Sequence, residues 1–341
     1  MTTTIILLLL LVTLTGIWLF RSSLSGYLLH LLRPGKMERI LYEDALKHLY
    51  KLEYAKLNPT IQSVAGQLEV GIDRAAKILN ELIQKGLIFR QAEQYRLTPD
   101  GRDYALHILR AHRLWERYLA DQTGISEVEW HIKAEKLEHE LTPEQTEALS
   151  AQLGNPTYDP HGDPVPTAKG TLKALEGQAL LSFQPGEYGQ VSHLADEPPS
   201  IFAQLVSEGF YPGMEFGVVS RSDAEIQLQS EGELKTLSNF LAANVTAKQI
   251  PEEELDFLSI RRLSELEPGE SAEIVRISKA SRGAERRRLM DLGILPGTLV
   301  SAEIKGPVGD PTAYRIRGAL IALRREQAQR ILIQAENRGL S

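Results

Sequence analysis

Residues 61–102 read IQSVAGQLEVGIDRAAKILNELIQKGLIFRQAEQYRLTPDGR, and this stretch decides the fold of the first part of the chain. Thr60 is a suitable N-cap for a short helix that ends at Gly71, and Asp73 is a suitable N-cap for a second helix that ends at Gly86. Two short β-rich pieces, LIFRQ and QYRLT, come next. Two helices joined by a tight turn and followed by a hairpin predict a winged helix-turn-helix.

Such a module points to binding of double-stranded DNA, with the second helix in the major groove and basic side chains on phosphates. The candidate DNA-binding residues are Arg74, Lys77, Arg90 and Arg96. Docking on a protein is the alternative, because residues 69–103 hold six basic and six acidic side chains. A strong DNA binder gains most of its affinity from phosphate contacts, so a neutral balance is unusual.

The composition excludes several classes of protein. The chain has 341 residues, no cysteine and a formal net charge of −7. This length predicts two or three domains, and the charge excludes a globally basic nucleic-acid coat. Without cysteine, disulfides, thiolate zinc sites and cysteine nucleophiles are excluded. Any metal site must use histidine, carboxylate, backbone or water ligands, which suit manganese, iron or zinc.

The first 20 residues carry no charge and predict a membrane anchor. Residues 2–20 would extend roughly 28 Å as a helix, close to the roughly 30 Å of a bilayer core. A cleaved signal peptide is the alternative, but no basic region precedes the apolar run. Residues 21–40 hold four basic side chains and one acidic one, so the positive-inside rule places the following domains in the cytoplasm. We therefore expect a single-pass protein of the cytoplasmic membrane.

A helical block follows the wing and carries the metal-ligand chemistry. We expect helices over about 102–122 and 127–140, and a third one that begins after Thr142. Histidines and carboxylates recur on one face of the first two helices, which is how helical metal sites are built. A solvated, charged helix face is the alternative. The candidate metal ligands are Asp44, His112, Glu116, His131, Glu135, Glu138 and His139.

Residues 43–166 resemble the DtxR and MntR family of metal-dependent regulators. The motifs that carry this resemblance are EDALKHLYKLE (43–53), QKGLI, LTPDGR, AHRLWERYL (111–119), HIKAEKLEHELT (131–142) and NPTYDPHGDPVPT. The resemblance implies a homodimer that binds DNA when metal is bound. It also implies two metal sites. The primary site would use Asp44, Glu135, Glu138 and His139, and the ancillary site would use Glu116 and His131. His112 matches a ligand that belongs to the ancillary site in some members and to a two-metal cluster in others.

Asp44 and Glu135 match the pattern of the manganese-type members, and two departures limit what the resemblance implies. Iron-type members carry Met and Cys where this chain has Asp44 and Glu135, so harder oxygen ligands favour Mn²⁺ over Fe²⁺, with Zn²⁺ as a further candidate. Lys47 stands where manganese-type members carry a Glu ligand, and its charge opposes a two-metal cluster. The segment GIDRAAKIL lacks the polar surface of the family's recognition helix, so no operator sequence is implied. The motif DPHGDP (159–164) has chelating groups, but its composition favours a rigid turn, and we do not count it as a site.

The second half of the chain contains a repeat. QPGEYGQV (184–191) matches EPGESAEIV (267–275), and LVSEGFYPGMEFGVV (205–219) matches LMDLGILPGTLVSAE (289–303). Each copy predicts a small SH3-like β-barrel. The second copy resembles the FeoA family through ERRRLMDLGILPGTLV and GPVGDPTAYRIRG, and the first copy is a more distant relative. No barrel residue is identified as a metal ligand. The arginines at 282 and 286–288 indicate either an acidic partner or a solvated helix end.

We therefore predict a multi-domain α+β protein. Its parts are an anchor and juxtamembrane segment (1–36), a winged helix-turn-helix (37–102), a helical metal-binding and dimerisation domain (103–166) and two FeoA-like barrels (175–250 and 256–336). The predicted function is a membrane-anchored regulator that binds DNA as a dimer in response to Mn²⁺ or Fe²⁺. The alternative is an accessory protein that senses metal and regulates a metal-ion transporter without binding DNA. No catalytic constellation is present, so we do not expect an enzyme.

Overall fold

The structure, a computed structural model, describes residues 34–92, 94–252 and 260–334. The chain divides into two compact units, one up to Ile108 and the other from Leu109 onward. Within the described ranges, no helix combines the length and the apolar character that crossing a bilayer requires. The predicted anchor at 2–20 lies outside the described residues.

The first unit consists of helices and one hairpin. Its elements are α1 (Pro34–Tyr54), α2 (Ile61–Gln67), α3 (Ile72–Gln84), β1 (Ile88–Gln91), β2 (Gln94–Leu97) and the beginning of α4 (Pro99–Gln122). Strands β1 and β2 are antiparallel, with Ile88 opposite Leu97. This is the element order that the sequence predicted for a winged helix-turn-helix.

The helix starts of this unit follow from capping chemistry. The Thr60 side chain accepts a hydrogen bond from the Ser63 backbone N–H, which caps α2 as predicted. The prediction for α3 is wrong at its first residue, because Gly71 is the N-cap and Asp73 lies inside the first turn. A carboxylate there still stabilises the helix, since the partial positive charge of a helix lies at its amino end.

The core of the first unit fixes the hairpin against the helices. Leu46, Leu79 and Leu82 have no exposed surface, and burying a leucine contributes about 1.5–3 kcal/mol. Gly101 follows the wing at a point of close approach, where an added Cβ atom would lie 1.8 Å from the carbonyl oxygen of Leu87. The glycine of the LTPDGR motif is therefore required by packing.

The second unit begins with a helical block. It contains the remainder of α4, a 3₁₀ turn (Glu127–Glu129), α5 (Trp130–Leu137) and α6 (Pro143–Gln152). Thr142 and Gln145 form a capping box at the start of α6, as predicted. The predicted helix over 127–140 is too long, because α5 ends at Leu137 and Glu138 is its C-cap. His139 therefore lies beyond the helix and does not share the helix face that carries His131 and Glu135.

Two six-stranded antiparallel sheets complete this unit. The first contains β3 (Gln178–Ala179), β4 (Tyr188–Leu194), β5 (Glu215–Arg221), β6 (Glu225–Ser230), β7 (Glu233–Ser238) and β8 (Val245–Gln249), with helices α7 (Pro199–Ser207) and α8 (Asn239–Ala242). The second contains β9 (Ile260–Arg262), β10 (Ser271–Ile277), β11 (Leu299–Lys305), β12 (Thr312–Ile316), β13 (Ala319–Leu323) and β14 (Ile331–Gln334), with helices α9 (Gly283–Asp291) and α10 (Arg325–Gln329).

The two sheets have the same strand order. The first runs β3-β8-β4-β5-β6-β7, and the second runs β9-β14-β10-β11-β12-β13. Each closes over its own apolar core, which includes Phe183 and Phe216 in the first and Tyr314 in the second. The sequence repeat is thus a repeat of topology, and we call these sheets with their helices the first and second barrel.

Candidate metal centre

Helix α4 supplies the first two ligand-type side chains. His112 and Glu116 are one helical turn apart and therefore share one face. Both are buried, with 4% and 1% of their surface exposed. The His112 Nε2 atom lies 3.0 Å from Glu116 Oε1. A buried imidazole and a buried carboxylate in contact are the donor set that divalent transition metals bind.

Helix α5 adds His131 from its first turn. The His131 Nδ1 atom lies 3.0 Å from Glu116 Oε1 and 3.2 Å from His112 Nε2. Ligands about 2.0–2.2 Å from one cation are separated by about 3.0–3.5 Å at ordinary coordination angles. The three donor atoms therefore have the spacing that one divalent cation requires.

The first barrel contributes two carboxylates that the sequence analysis did not identify. Asp196 Oδ2 lies 3.2 Å from His131 Nδ1, and Glu197 Oε1 lies 3.5 Å from His131 Nε2. Both residues belong to the loop between β4 and α7. An acidic pair before two prolines is a common surface feature, so the sequence held no signal that this loop returns to the helical block.

A second buried group shares Glu116. Its Oε2 atom lies 3.6 Å from His161 Nδ1, which is 4.0 Å from Asp159 Oδ2. Ligand atoms of these three residues lie within 4.8 Å of one another. Both His161 ring nitrogens and Asp159 Oδ2 are buried without a hydrogen-bond partner among the described residues. Buried polar atoms without partners are costly, so this group fits a cation.

The DPHGDP motif is also a rigid turn, as the sequence predicted. Asp159 Oδ1 accepts hydrogen bonds from the backbone N–H groups of His161 and Asp163, at 2.8 and 2.9 Å. These bonds fix the carboxylate, so its other oxygen is held on the side of His161. The sequence analysis treated a turn and a ligand as alternatives, whereas here the turn positions the candidate ligands.

Glu138 contacts the other side of the His112 ring. Its Oε2 atom lies 2.5 Å from His112 Nδ1, while its Oε1 atom is 3.6 Å from His139 Nε2. A carboxylate on one ring nitrogen orients the other nitrogen toward a metal and increases its basicity. Glu135 lies at the edge of the group, with Oε1 3.6 Å from His131 Nε2.

The remaining candidate ligand, Asp44, belongs to the first unit. It is half-buried on α1, three residues before the buried Lys47. Its assignment to a primary site with Glu135, Glu138 and His139 stays a prediction.

The electrostatics of the centre couple histidine protons to carboxylate charge. Burial alone would raise the pKa of Glu116, but His112 and His161 hold it well below its usual range. Burial would lower the pKa of His161, but the Glu116 carboxylate outweighs that effect and brings it to about 9. Hydrogen bonds, led by the one with Asp196, likewise raise the pKa of His131 despite burial. Without a cation, protons on His131 and His161 balance the carboxylates, and metal binding must displace them.

The four predicted DNA-binding residues are engaged in local contacts within the first unit. Arg74 pairs with Glu38 at 3.1 Å, and Lys77 lies 3.7 Å from Glu81. On the hairpin, Arg90 donates to the Ala92 carbonyl, and Arg96 donates to Gln94 and Asn58. These partners are exposed or half-buried, and surface ion pairs of this kind contribute about 0–1 kcal/mol.

Comparison with known proteins identifies two domains of the chain. Residues 98–167 match the domain described as "Iron dependent repressor, metal binding and dimerisation domain", and residues 261–335 match the FeoA domain. These matches support the predicted resemblance to the DtxR/MntR family and the FeoA-like domain at the end of the chain. A solved structure of a manganese-dependent transcriptional repressor in complex with manganese is similar to this chain, with a TM-score of 0.54 and 26% identity. That similarity covers 60% of this chain and 100% of the repressor.

Two curated relatives have different descriptions. The iron-dependent repressor IdeR of Mycobacterium leprae is 31% identical over 125 residues, or 36% of this chain. A probable metal transport system membrane protein of Chlamydia trachomatis is 44% identical over 85 residues, or 25% of this chain. The chain spans 54% of the length of the first relative and 19% of the second. The similar proteins are thus named for iron, manganese or metal transport, and none of these three is named as an enzyme.

Proposed function

We propose that this chain is a metal-dependent transcriptional regulator that binds double-stranded DNA as a homodimer. The observation that carries the proposal is the buried set of His112, Glu116 and His131, whose donor atoms are 3.0–3.2 Å apart. The likeness to a manganese-dependent and an iron-dependent repressor supports it. The carboxylate-rich donor set favours Mn²⁺ or Fe²⁺ over softer cations.

The chain's own residues explain how metal would change its state. Glu116 is in contact with histidines from three segments: α4, α5 and the DPHGDP turn. When bound, a divalent cation would supply the positive charge that His131 and His161 otherwise provide as protons. His112 and His131 then hold α4 and α5 together as neutral ligands, and Asp196 draws in the first barrel. Metal raises DNA affinity only to the extent that it prefers the DNA-binding state.

Three further features belong to the same proposal. The ligand set of Asp44, Glu135, Glu138 and His139 is proposed on the resemblance alone. The apolar run at 2–20 is proposed to anchor the regulator in the cytoplasmic membrane, and the basic residues after it favour domains in the cytoplasm. Arg74, Lys77, Arg90 and Arg96 are proposed to contact phosphates.

The test is a DNA titration at several metal concentrations. Fluorescent duplex from the region upstream of the chain's own gene is titrated with the full chain in Mn²⁺, anaerobic Fe²⁺ or Zn²⁺. We expect DNA affinity to rise with metal and to fall with salt, since phosphate contacts release counterions. Glu116→Gln should lose the metal response, whereas Glu129→Gln, an exposed carboxylate of the same block, should keep it.

A second candidate function is a metal-sensing accessory of a metal-ion transporter. The 44% identity to a probable metal transport system membrane protein favours it, as does the neutral charge balance of the winged module. Under this function the full chain binds metal and Glu116→Gln abolishes that binding, but DNA affinity stays flat in every metal. A DNA affinity that rises with metal and falls with salt contradicts it.

A further inference from the structure

A cleft of about 430 Å³ lies where the carboxyl end of α4 meets the second barrel, and its lining is strongly basic. Among the described residues that line it, the only carboxylate is that of Asp121. Asp121 is already paired with Arg117 at 2.6 Å. The basic lining residues are Arg117, Lys279, Arg282, Arg286 and Arg287.

Most of this positive charge is not engaged in an ion pair among the described residues, although the carboxylates of Glu127 and Asp159 lie close enough to act on Arg282 from outside the lining. Arg286 donates to the carbonyls of Ile277 and Ser278 at 3.3 Å, and Arg287 donates to the carbonyl of Asp121 at 2.9 Å. Carbonyl oxygens satisfy the hydrogen bonds of a guanidinium but do not neutralise it. Four of the five cations that line the cleft therefore remain unbalanced by an ion pair within it.

Arg282 is the central cation of this cleft. Its guanidinium lies over the Trp130 ring, 5.9 Å from the centroid, and no hydrogen bond or ion pair joins it to another described residue. Burial and the nearby Arg117 lower the pKa of Arg282, although Asp121, Glu127 and Asp159 act in the opposite direction. A largely buried guanidinium without an ion pair is stabilised by an anion that accepts two parallel hydrogen bonds from it.

The backbone adds to the positive electrostatic potential of the cleft. Ser281, Arg282 and Gly283 line the cleft, and Arg282 is the N-cap of α9 without a side-chain capping bond. The free N–H groups and the partial positive charge at the start of a helix favour an anion. The cleft volume falls within the range of about 300–1,000 Å³ that is typical of small-ligand sites.

We propose that this cleft binds a phosphate group, either as free phosphate or as part of a phosphorylated small molecule. Planar guanidinium groups match phosphate oxygens in geometry, and the unbalanced positive charge matches a dianion better than a single carboxylate. This site is separate from the metal centre, since none of its lining residues is a candidate metal ligand. It gives the second barrel a ligand of its own.

The experiment is isothermal titration of the full chain with two probes, inorganic phosphate and adenosine 5′-monophosphate, at ionic strength held constant with chloride. Arg282→Gln removes the central cation, and Lys279→Gln removes an exposed one whose loss does not endanger folding. Arg288→Gln is the matched control, because Arg288 lies exposed on α9 but does not line the cleft.

We expect phosphate binding in the wild type and in Arg288→Gln, and a loss of about tenfold or more in Arg282→Gln. Tighter binding of the nucleotide would identify a phosphate ester as the ligand, and equal or weaker binding would identify free phosphate. Equal losses in Arg288→Gln and Lys279→Gln overturn the proposal, because they indicate a general charge effect. The proposal is also overturned if the wild-type chain binds neither probe. It is overturned as well if Arg282→Gln changes the affinity for duplex DNA but not the affinity for either probe.

Discussion

The two barrels share one topology but contact the helical block with opposite charge. In the first barrel, the loop between β4 and α7 carries Asp196 and Glu197 to His131. In the second, the loop between β10 and α9 ends in Arg282, which lies over Trp130 at the start of α5. The loops occupy equivalent positions in the repeat. The scaffold is therefore common to both copies, and the chemistry of each copy resides in a loop that the scaffold positions.

Removing Glu116 should have the largest effect, because both buried ligand groups share its carboxylate. We expect Glu116→Gln to weaken Mn²⁺ binding by about 100-fold or more, since changes in outer-shell partners alone cost about 10–100-fold. Calorimetric titration of metal into the full chain measures this, and circular dichroism confirms that the variant is folded. Glu129→Gln, which removes an exposed carboxylate, is the control. Unchanged affinity in Glu116→Gln would contradict the assignment of the centre.

Changing the pH should alter metal binding through the histidine protons. The pKa of His161 is raised to about 9, and that of His131 is also raised, so both rings are protonated at pH 6–8. A metal must displace these protons, so affinity should rise with pH over this range by up to about tenfold per unit for each proton displaced. Mn²⁺ titrations in two buffers of different protonation enthalpy count the released protons. His161→Gln should release fewer, and a count identical to that of wild type would remove His161 from the site.

Neutralising the charged side chains of each loop in turn tests the comparison of the two barrels directly. Asp196→Asn with Glu197→Gln should weaken Mn²⁺ binding by about tenfold, because His131 loses its two carboxylate contacts from the first barrel. Arg282→Gln in the second barrel should leave metal affinity unchanged. Both variants are titrated with Mn²⁺ under the same conditions. Equal losses in the two would mean that the loops act through overall charge rather than through contacts.

Much of this arrangement follows from local sequence signals. Thr60 and Thr142 cap helices because their hydroxyls satisfy free N–H groups, and the four-residue spacing of His112 and Glu116 places them on one face. The duplicated motifs predicted two equivalent barrels, which share one strand order. These signals extend over a few residues or repeat along the chain, so they can be recognised in the sequence without knowledge of the fold.

The contacts that complete the site act over long separations in sequence. Asp196 reaches His131 across 65 positions, and no local pattern distinguishes it from other surface aspartates. Asp159 and His161 were recognised as chelating groups, but their contact with Glu116 depends on how the DPHGDP turn packs against α4. The end of α5 at Leu137 was also missed, because the residues after it have good helix propensity and tertiary contacts decide the boundary.

The smallest expected effect is on the free energy of unfolding, through the contact that Arg287 of the second barrel makes with the end of α4. Arg287 donates from Nη1 to the Asp121 carbonyl at 2.9 Å and from Nη2 to the Gln122 carbonyl at 3.3 Å, so it caps the end of the helix that carries His112 and Glu116. A cation at a helix carboxyl end contributes about 0.3–1 kcal/mol, and the exposure of Arg287 places it at the low end. We expect Arg287→Ala to lower the free energy of unfolding by about 0.5 kcal/mol, as measured by urea denaturation, and Arg288→Ala to leave it unchanged. Because salt screens an exposed charge, the difference between these variants should shrink at high ionic strength. A difference that persists in high salt would instead attribute the effect to the hydrogen bonds, and the second barrel would then stabilise α4 by geometry rather than by charge.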